Sequence, residues 1–501
     1  MTSLGLIHPS VSAETVRSTP VEKSQSIQPY LDRVKQKVTT FKLKNGLKFI
    51  VLERHQAPVI AFHTYADVGG ANEPVGQTGV AHYLEHLAFK GTQRIGTTDY
   101  ESEQPLLDQQ DQLFDQIQAA KAKKDEQALQ TLSQTFAEVT QKADALVTQN
   151  EMGQIINQQG GVGLNATTSS DATRYFYSLP ANKLELWMSL ESERFLEPVF
   201  REFYKEKEVI LEERRLRTDN SPIGKMVEVF LGEAFDVHPY LQPVIGYEQD
   251  LRNLTRQNVQ DFFDTYYGPS NLTIAIVGDV NPKEVKKLAK TYFGRFKVRS
   301  HPPEVSQVEP PQQKAKSVTL ELKSQPWYLE GYHRPAISDP DHVVYDIIAS
   351  LLSDGRTSRL YKSLVESDKI ALSAQGFSGF PGDKYPNLML FYALTAPGHT
   401  VDEVAASLST ELEKLKTELV DVQDLDRLKT QARASLLRTL DSNSGMARLL
   451  TDYDVKTGDW RNLFSELEKI EAVTPADVQR IAQATFTSEN RTIGYILSKG
   501  T

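Results

Sequence analysis

Two stretches of the chain carry the same alternation of polar and apolar positions. "LTRQNVQDFFDTYYGPSNLTIAIVGDV" begins at Leu254 and "VTPADVQRIAQATFTSENRTIGYILSK" begins at Val473. In each, a Thr stands where a helix N-cap belongs, apolar residues follow at helical spacing, and a short β-branched run then reads as a strand. Thr255 pairs with Thr474, Val259 with Val478, Gln260 with Gln479, Asn271 with Asn490, Thr273 with Thr492 and Ile274 with Ile493, all at one offset of 219 residues. A register that needs no gap points to duplication, and so to two α/β domains that each end in helix–strand.

The Pro- and Gln-rich segment 301–316, "HPPEVSQVEPPQQKAK", is the expected linker between them. Residues 104–150 make the first domain long. They lack Gly, carry one Pro at the start, and place Leu106, Leu113, Ile117 and then Leu129, Leu132, Phe136, Val139 at helical spacing around a polar "KAKKDE". This predicts an inserted helical hairpin, a solvated spacer in the first instance. The expected organisation is a flexible tail over 1–37, a first domain over 38–300 with the hairpin at 104–150, the linker 301–316, and a second domain over 317–501.

Composition narrows the function. The 501 residues are 39% hydrophobic and 24% charged, the proportions of a globular chain, and no apolar run is long enough to span a bilayer. A net charge of −10 argues against nucleic acid as partner. Val11-Ser12-Ala13 faintly suggests a signal-peptidase site, but a basic start and an adequate apolar stretch are missing, so a tail is expected. The chain is expected in solution, in the cytoplasm or the periplasm. It has no cysteine, so any transition-metal site must be built from His and carboxylates.

Such a site is suggested by "GVAHYLEHLAFKGT". If residues 77–89 are helical, His82 and His86 lie about 40° apart on one face and Glu85 about 60° to the other side of His82. Two imidazoles so spaced can hold one ion, and a carboxylate beside them can take a proton from water. The pattern is H-x-x-E-H, the inverzincin signature. A hydrolytic zinc site needs a third ligand, and "REFYKEKEVILEERRL", 201–216, offers carboxylates. Glu206 and Glu213 are seven apart and share a face, while Glu208 and Glu212 lie elsewhere. One could bind metal while the other orients a ligand; the spacing alone equally fits a charged, solvated helix surface.

Together, "DVGGANEPVGQTGVAHYLEHLAFKGT", "GLNATTSSDATRYFYSLP", "LESERFLEPVF", "KEKEVILEE" and "HPYLQPVIG" resemble the M16 metallopeptidases, the family of pitrilysin, insulin-degrading enzyme and the mitochondrial processing peptidase. The similarity runs from about residue 38 to the C-terminus, apart from 104–150, and is to the branch with short two-domain chains. The resemblance implies an α+β fold of two homologous domains with mixed or antiparallel sheets, the second inactive, and a closed chamber formed by association. It implies a zinc endopeptidase for peptides or unfolded segments, holding one zinc per chain, with a non-catalytic scaffold subunit as the alternative.

Carried over residue by residue, His82, His86 and Glu213 would be the zinc ligands, Glu85 the general base and Glu206 the supporting glutamate. Asn165, Ala166 and Thr167 in "GLNATT" would bind substrate backbone on an edge strand. Glu213 stands 127 residues after His86, farther than in the family, so the hairpin should loop away from the site. His238 matches a family pattern and is read as structural. The Arg and Tyr that many relatives bring to substrate from the second half fall on Val365 and Leu372, and Arg359 and Tyr361 do not replace them. The missing pair implies a heteromeric partner that brings it; the assembly expected from the resemblance is a homodimer or a heterodimer with a paralogous subunit.

Overall fold

The computed structural model describes residues 28–499. The expected tail lies outside the described residues as far as residue 27, and its last part, Gln28–Lys37, is helix rather than tail. That segment forms a unit of its own, and from Val38 onward the chain packs as a second unit.

This larger unit contains two mixed sheets. The first comprises β1 (Val38–Lys42), β2 (Lys48–Glu53), β3 (Val59–Ala66), β4 (Val162–Thr168), β5 (Thr173–Pro180) and β6 (Leu272–Gly278), in the order β1-β2-β6-β3-β5-β4. Only β2 and β6 are parallel. The second comprises β7 (Lys316–Leu322), β8 (Trp327–Arg334), β9 (Ala371–Phe380), β10 (Asn387–Thr395) and β11 (Arg491–Ser498), in the order β7-β11-β8-β10-β9, with β7 and β11 parallel. Both halves thus have the same α/β plan, and the segment expected as linker gives up Lys316 to β7.

The repeated residues do the same work twice. Thr255 and Thr474 close capping boxes with Asn258 and Asp477 on the helices Arg256–Tyr266 and Pro475–Thr485. Asn271 donates to the Tyr266 carbonyl at 2.9 Å and Asn490 to the Thr485 carbonyl at 3.0 Å, pinning each helix end to the strand that follows.

The halves also exchange helices. Pro222–Ala234, from the first half, packs on β7 and β11 of the second sheet, and Asn443–Thr457, from the second, packs on β3 and β6 of the first. Met226, Phe230 and Leu231 enter an apolar cluster with Leu329, Leu390 and Ile496. The approach is close enough to demand glycine: a Cβ on Gly331 would stand 2.9 Å from the Phe230 ring, and one on Gly494 2.9 Å from Met226 Sδ. Each sheet therefore has its own core on one face and the other half's helix on the opposite face.

The hairpin is two helices, Tyr100–Lys123 and Glu126–Asp144, starting earlier than the sequence suggested because Asp99 caps Ser102 N–H. Pro105 lies inside the first helix, as its sixth residue, and removes one backbone donor there. A fully buried Arg201–Glu103 ion pair at 2.9 Å holds its base.

Candidate metal centre

The helix that carries both histidines is Val80–Leu87, shorter at both ends than the expected 77–89. Gly79 opens it at φ +86°, and a Cβ there would strike the Ile245 carbonyl oxygen at 2.7 Å. Buried Glu73 accepts from the N–H groups of Gly79 (2.8 Å) and Ala81 (2.9 Å), satisfying two donors at the helix start. Val80, Leu84 and Leu87 face the core, and Tyr83 stacks on Phe203 at 4.6 Å between ring centroids. With that face fixed inward, His82, Glu85 and His86 turn toward the second helix, Phe203–Arg214.

Glu213, the last residue but one before that helix gives way to the π-helical turn Arg215–Asp219, faces both histidines. His82 Nε2 lies 3.8 Å from Glu213 Oε1 and His86 Nε2 lies 3.6 Å from Glu213 Oε2. One donor atom from each of the three residues falls within 4.8 Å of the others. A tetrahedral ion with bonds of about 2.0–2.1 Å sets donors roughly 3.3 Å apart, so small side-chain shifts would close the set on zinc. His82 Nδ1 is buried without a partner among the described residues, so the ring's polar contact is left to Nε2, on the Glu213 side. Burial, then the charges of His86 and Arg217, push the His82 pKa down to about 3, keeping it the neutral imidazole a metal requires. The donor set fits a zinc ion.

Glu206 Oε2 meets His86 Nδ1 at 3.2 Å, and Lys90 bonds the other Glu206 oxygen. Burial works against charge on both partners. The mutual hydrogen bond, with Lys90 on the carboxylate side and Glu213 on the imidazole side, outweighs it: the Glu206 pKa falls and the His86 pKa rises. Glu85 instead accepts from Thr168 Oγ1, and burial raises its pKa. Glu208 and Glu212 lie exposed on another face, Glu212 paired with Arg215.

Asn165, Ala166 and Thr167 lie on β4, an edge strand bonded only to β5 among the described residues. Asn165 and Thr167 are exposed and Ala166 is buried. Asn165 Oδ1 accepts from Ala166 N–H at 2.9 Å, occupying a donor on the free edge. His238 lies apart, buried, with its Nδ1 accepting from Tyr240 N–H at 3.2 Å. Val365 packs against the core of the second half and Leu372 is half-exposed on β9.

Sequence reasoning missed several participants. Thr168 ties the edge strand to Glu85, though it ends the "GLNATT" already singled out. Arg217 holds Glu213 Oε1 at 2.7 Å. The hairpin's return segment, Val147 to Asn150, lines a 370 Å³ cavity with Glu85, His86, Phe89 and Glu206, so the base of the hairpin borders the site. Spacing carries no signal for these contacts.

Two family models match the chain: "Insulinase (Peptidase family M16)" over residues 49–146 and "Peptidase M16 inactive domain" over 253–432. A relative described as zinc protease PqqE, from Helicobacter pylori, is 29% identical over 461 residues, covering 91% of each chain. An uncharacterized zinc protease from Mycobacterium leprae is 24% identical, covering 88% of this chain and 87% of its own. Among solved structures, a protease from Helicobacter pylori superimposes with a TM-score of 0.78 at 28% identity, covering 92% of this chain and 99% of that one. The periplasmic protease PqqL from Escherichia coli shares the fold, with a TM-score of 0.67 at 16% identity, 93% of this chain matching 48% of that one. The duplicated α/β plan, the two family matches and these relatives agree: the chain belongs to the peptidase M16 family.

Proposed function

We propose that the protein is a zinc-dependent endopeptidase that cuts extended peptides or unfolded polypeptide segments. The observation that carries this reading is the convergence of His82 Nε2, His86 Nε2 and the Glu213 carboxylate beside Glu85, which is itself tied to the free edge strand through Thr168. His82, His86 and Glu213 hold one ion, and Glu206 fixes the His86 ring through Nδ1. When bound, the ion supplies Lewis acidity that polarises a carbonyl and makes water a stronger acid.

The peptide lies along β4 over Asn165, Ala166 and Thr167, its backbone meeting those N–H and C=O groups of the strand that face the free edge, Ala166 N–H among them once the Asn165 side chain releases it. This mode reads main chain rather than side chains and suits segments without structure of their own. Glu85 takes a proton from the attacking water. The water oxygen bonds to the peptide carbon, the C–N bond breaks, and the proton passes from Glu85 to the departing nitrogen.

The side chains of Val365 and Leu372 cannot hydrogen-bond substrate, and another copy would bring the same two residues, so a paralogous subunit supplies the missing contacts. Hydrolysis of an unstructured peptide pool by the wild type and by Glu85→Gln, with zinc content and molar mass in solution measured on both, tests the whole reading. Cleavage by the wild type only, with about one zinc in each protein, supports the peptidase and removes the need for a paralogous subunit. Two inactive proteins that both hold zinc and stay monomeric would favour a scaffold subunit instead.

A further inference from the structure

At the opposite end of β4 from Thr168, on the sheet face covered by the exchanged helix Asn443–Thr457, lies a recess of 710 Å³. Val162 and Gly163 of β4 and Phe176 and Ser178 of β5 form its sheet side. The corner where the helix Val422–Asp441 meets Asn443–Thr457 closes the other side with Arg438, Arg448 and several hydroxyl side chains. Among the described residues no Asp or Glu lines it. Arg448 is half-exposed and only loosely paired, 3.5 Å from Asp452, and Arg438 is exposed.

The strand is shaped to lead there. Its pairing with β5 shifts register between Val162 and Asn165, and Gly163 takes φ +68°, so the free edge bends as it reaches the recess. A peptide added antiparallel to β4, the slightly stronger pairing, runs from Thr168 toward Val162 and delivers its C-terminal part to the recess. Charge selects the same direction, because two guanidinium groups attract a carboxylate and repel a terminal ammonium.

We propose that this recess is a substrate subsite for a carboxylate, held by Arg438 and Arg448, on the C-terminal side of the bond cut beside Glu85. The proposal rests on the peptidase reading above. Six residue steps along β4 take Thr168 to Val162, roughly 20 Å at about 3.3 Å per step. The best substrates therefore carry the carboxylate about six residues beyond the cut. A C-terminus and an acidic side chain offer the same group.

The test is binding of one fluorescent unstructured decapeptide in three forms to the zinc-loaded full chain carrying Glu85→Gln. The forms are a free C-terminus, a C-terminal amide, and an amide with Glu as the last residue. The free acid is expected to bind roughly tenfold tighter than the plain amide, the ratio that one charge-assisted contact supports. Equal gain from the Glu form identifies any carboxylate, and no gain from it identifies the chain terminus; either agrees with the proposal. Arg438→Gln with Arg448→Gln should shrink the ratio to within about twofold, Arg438→Glu should invert it, and Arg438→Lys with Arg448→Lys should retain most of it. Equal binding of the three forms, binding of none, or a ratio unchanged in the Gln pair overturns the proposal. Hydrolysis of the same peptides by the wild type separates the two readings. Cleavage without acid preference keeps the peptidase and removes the subsite; acid-selective binding with no cleavage leaves a carboxylate-binding recess but overturns the peptidase reading, and its role as a substrate subsite with it.

Discussion

Glu206 Oε2 stands 3.2 Å from His86 Nδ1 while the other Glu206 oxygen is bonded by Lys90, so one carboxylate aims the His86 ring and is itself held in place. An imidazole whose Nδ1 is fixed by a carboxylate presents Nε2 in one orientation and as a stronger base. Glu206→Gln keeps the shape and loses the charge. Zinc affinity, measured by competition with a chelator, should fall about 10–100-fold with little change in melting temperature.

Thr168 binds Glu85 from the end of the strand proposed to carry substrate. Thr168→Val keeps the branched shape and removes the hydroxyl. Zinc content should stay near one per chain, while kcat falls about tenfold as Glu85 loses its fixed rotamer. A variant that loses zinc as well would make Thr168 a structural support of the metal centre instead.

Arg201 is fully buried, bonded to Glu103 and to the carbonyl oxygens of Lys90, Thr92 and Ile95. Glu103→Ala would strand that guanidinium, at a cost of about 3–5 kcal/mol. Removing Glu197 from the largely exposed Arg94 should cost about 0–1 kcal/mol. Urea unfolding of both variants gives the comparison. Because Arg201 also grips the Lys90 carbonyl, Glu103→Ala should weaken zinc binding too, although Glu103 touches no ligand.

Gly331 allows the ring of Phe230 to sit against the second sheet. Gly331→Ala forces that ring or the exchanged helix outward, and overpacking of this kind costs about 1–3 kcal/mol. Thermal unfolding should show a single lowered transition, because both halves share the interface. Two separate transitions would mean that each half folds independently of the other.

The repeat was legible because its signals are local: a capping Thr, helical spacing, and an Asn that reaches back five residues. His82, Glu85 and His86 were legible for the same reason, since one turn of helix fixes their angles. Glu213 needed the family resemblance, because spacing alone did not choose between Glu206 and Glu213 or exclude a solvated helix surface. The exchange of the Pro222–Ala234 and Asn443–Thr457 helices was not legible, because it pairs apolar faces hundreds of residues apart and an amphipathic stripe does not name its partner. Thr168 and Arg217 were missed because each acts through one tertiary contact. The helix Gln28–Lys37 was hidden within a segment judged by the composition of its longer, polar first part.

Glu73 sets a pH dependence in the helix that carries the histidines. Its carboxyl is buried, and desolvation raises its pKa from 4.5 to about 8 even though the N–H groups of Gly79 and Ala81 favour the charged form. In the unfolded chain it ionises near 4.5, so between that value and about 8 the folded state holds a proton that the unfolded state has released. Stability contributed by this group is then greatest below 4.5 and falls as pH rises through the window, levelling off once the folded carboxyl also ionises. The total change is of order a few kcal/mol. Glu73→Gln, which cannot ionise, should remove that slope. The free energy of unfolding measured at intervals from pH 5 to 8 should fall more steeply in the wild type than in the variant; parallel curves would show that Glu73 is already ionised in the folded protein at pH 5 and caps the helix as a carboxylate throughout.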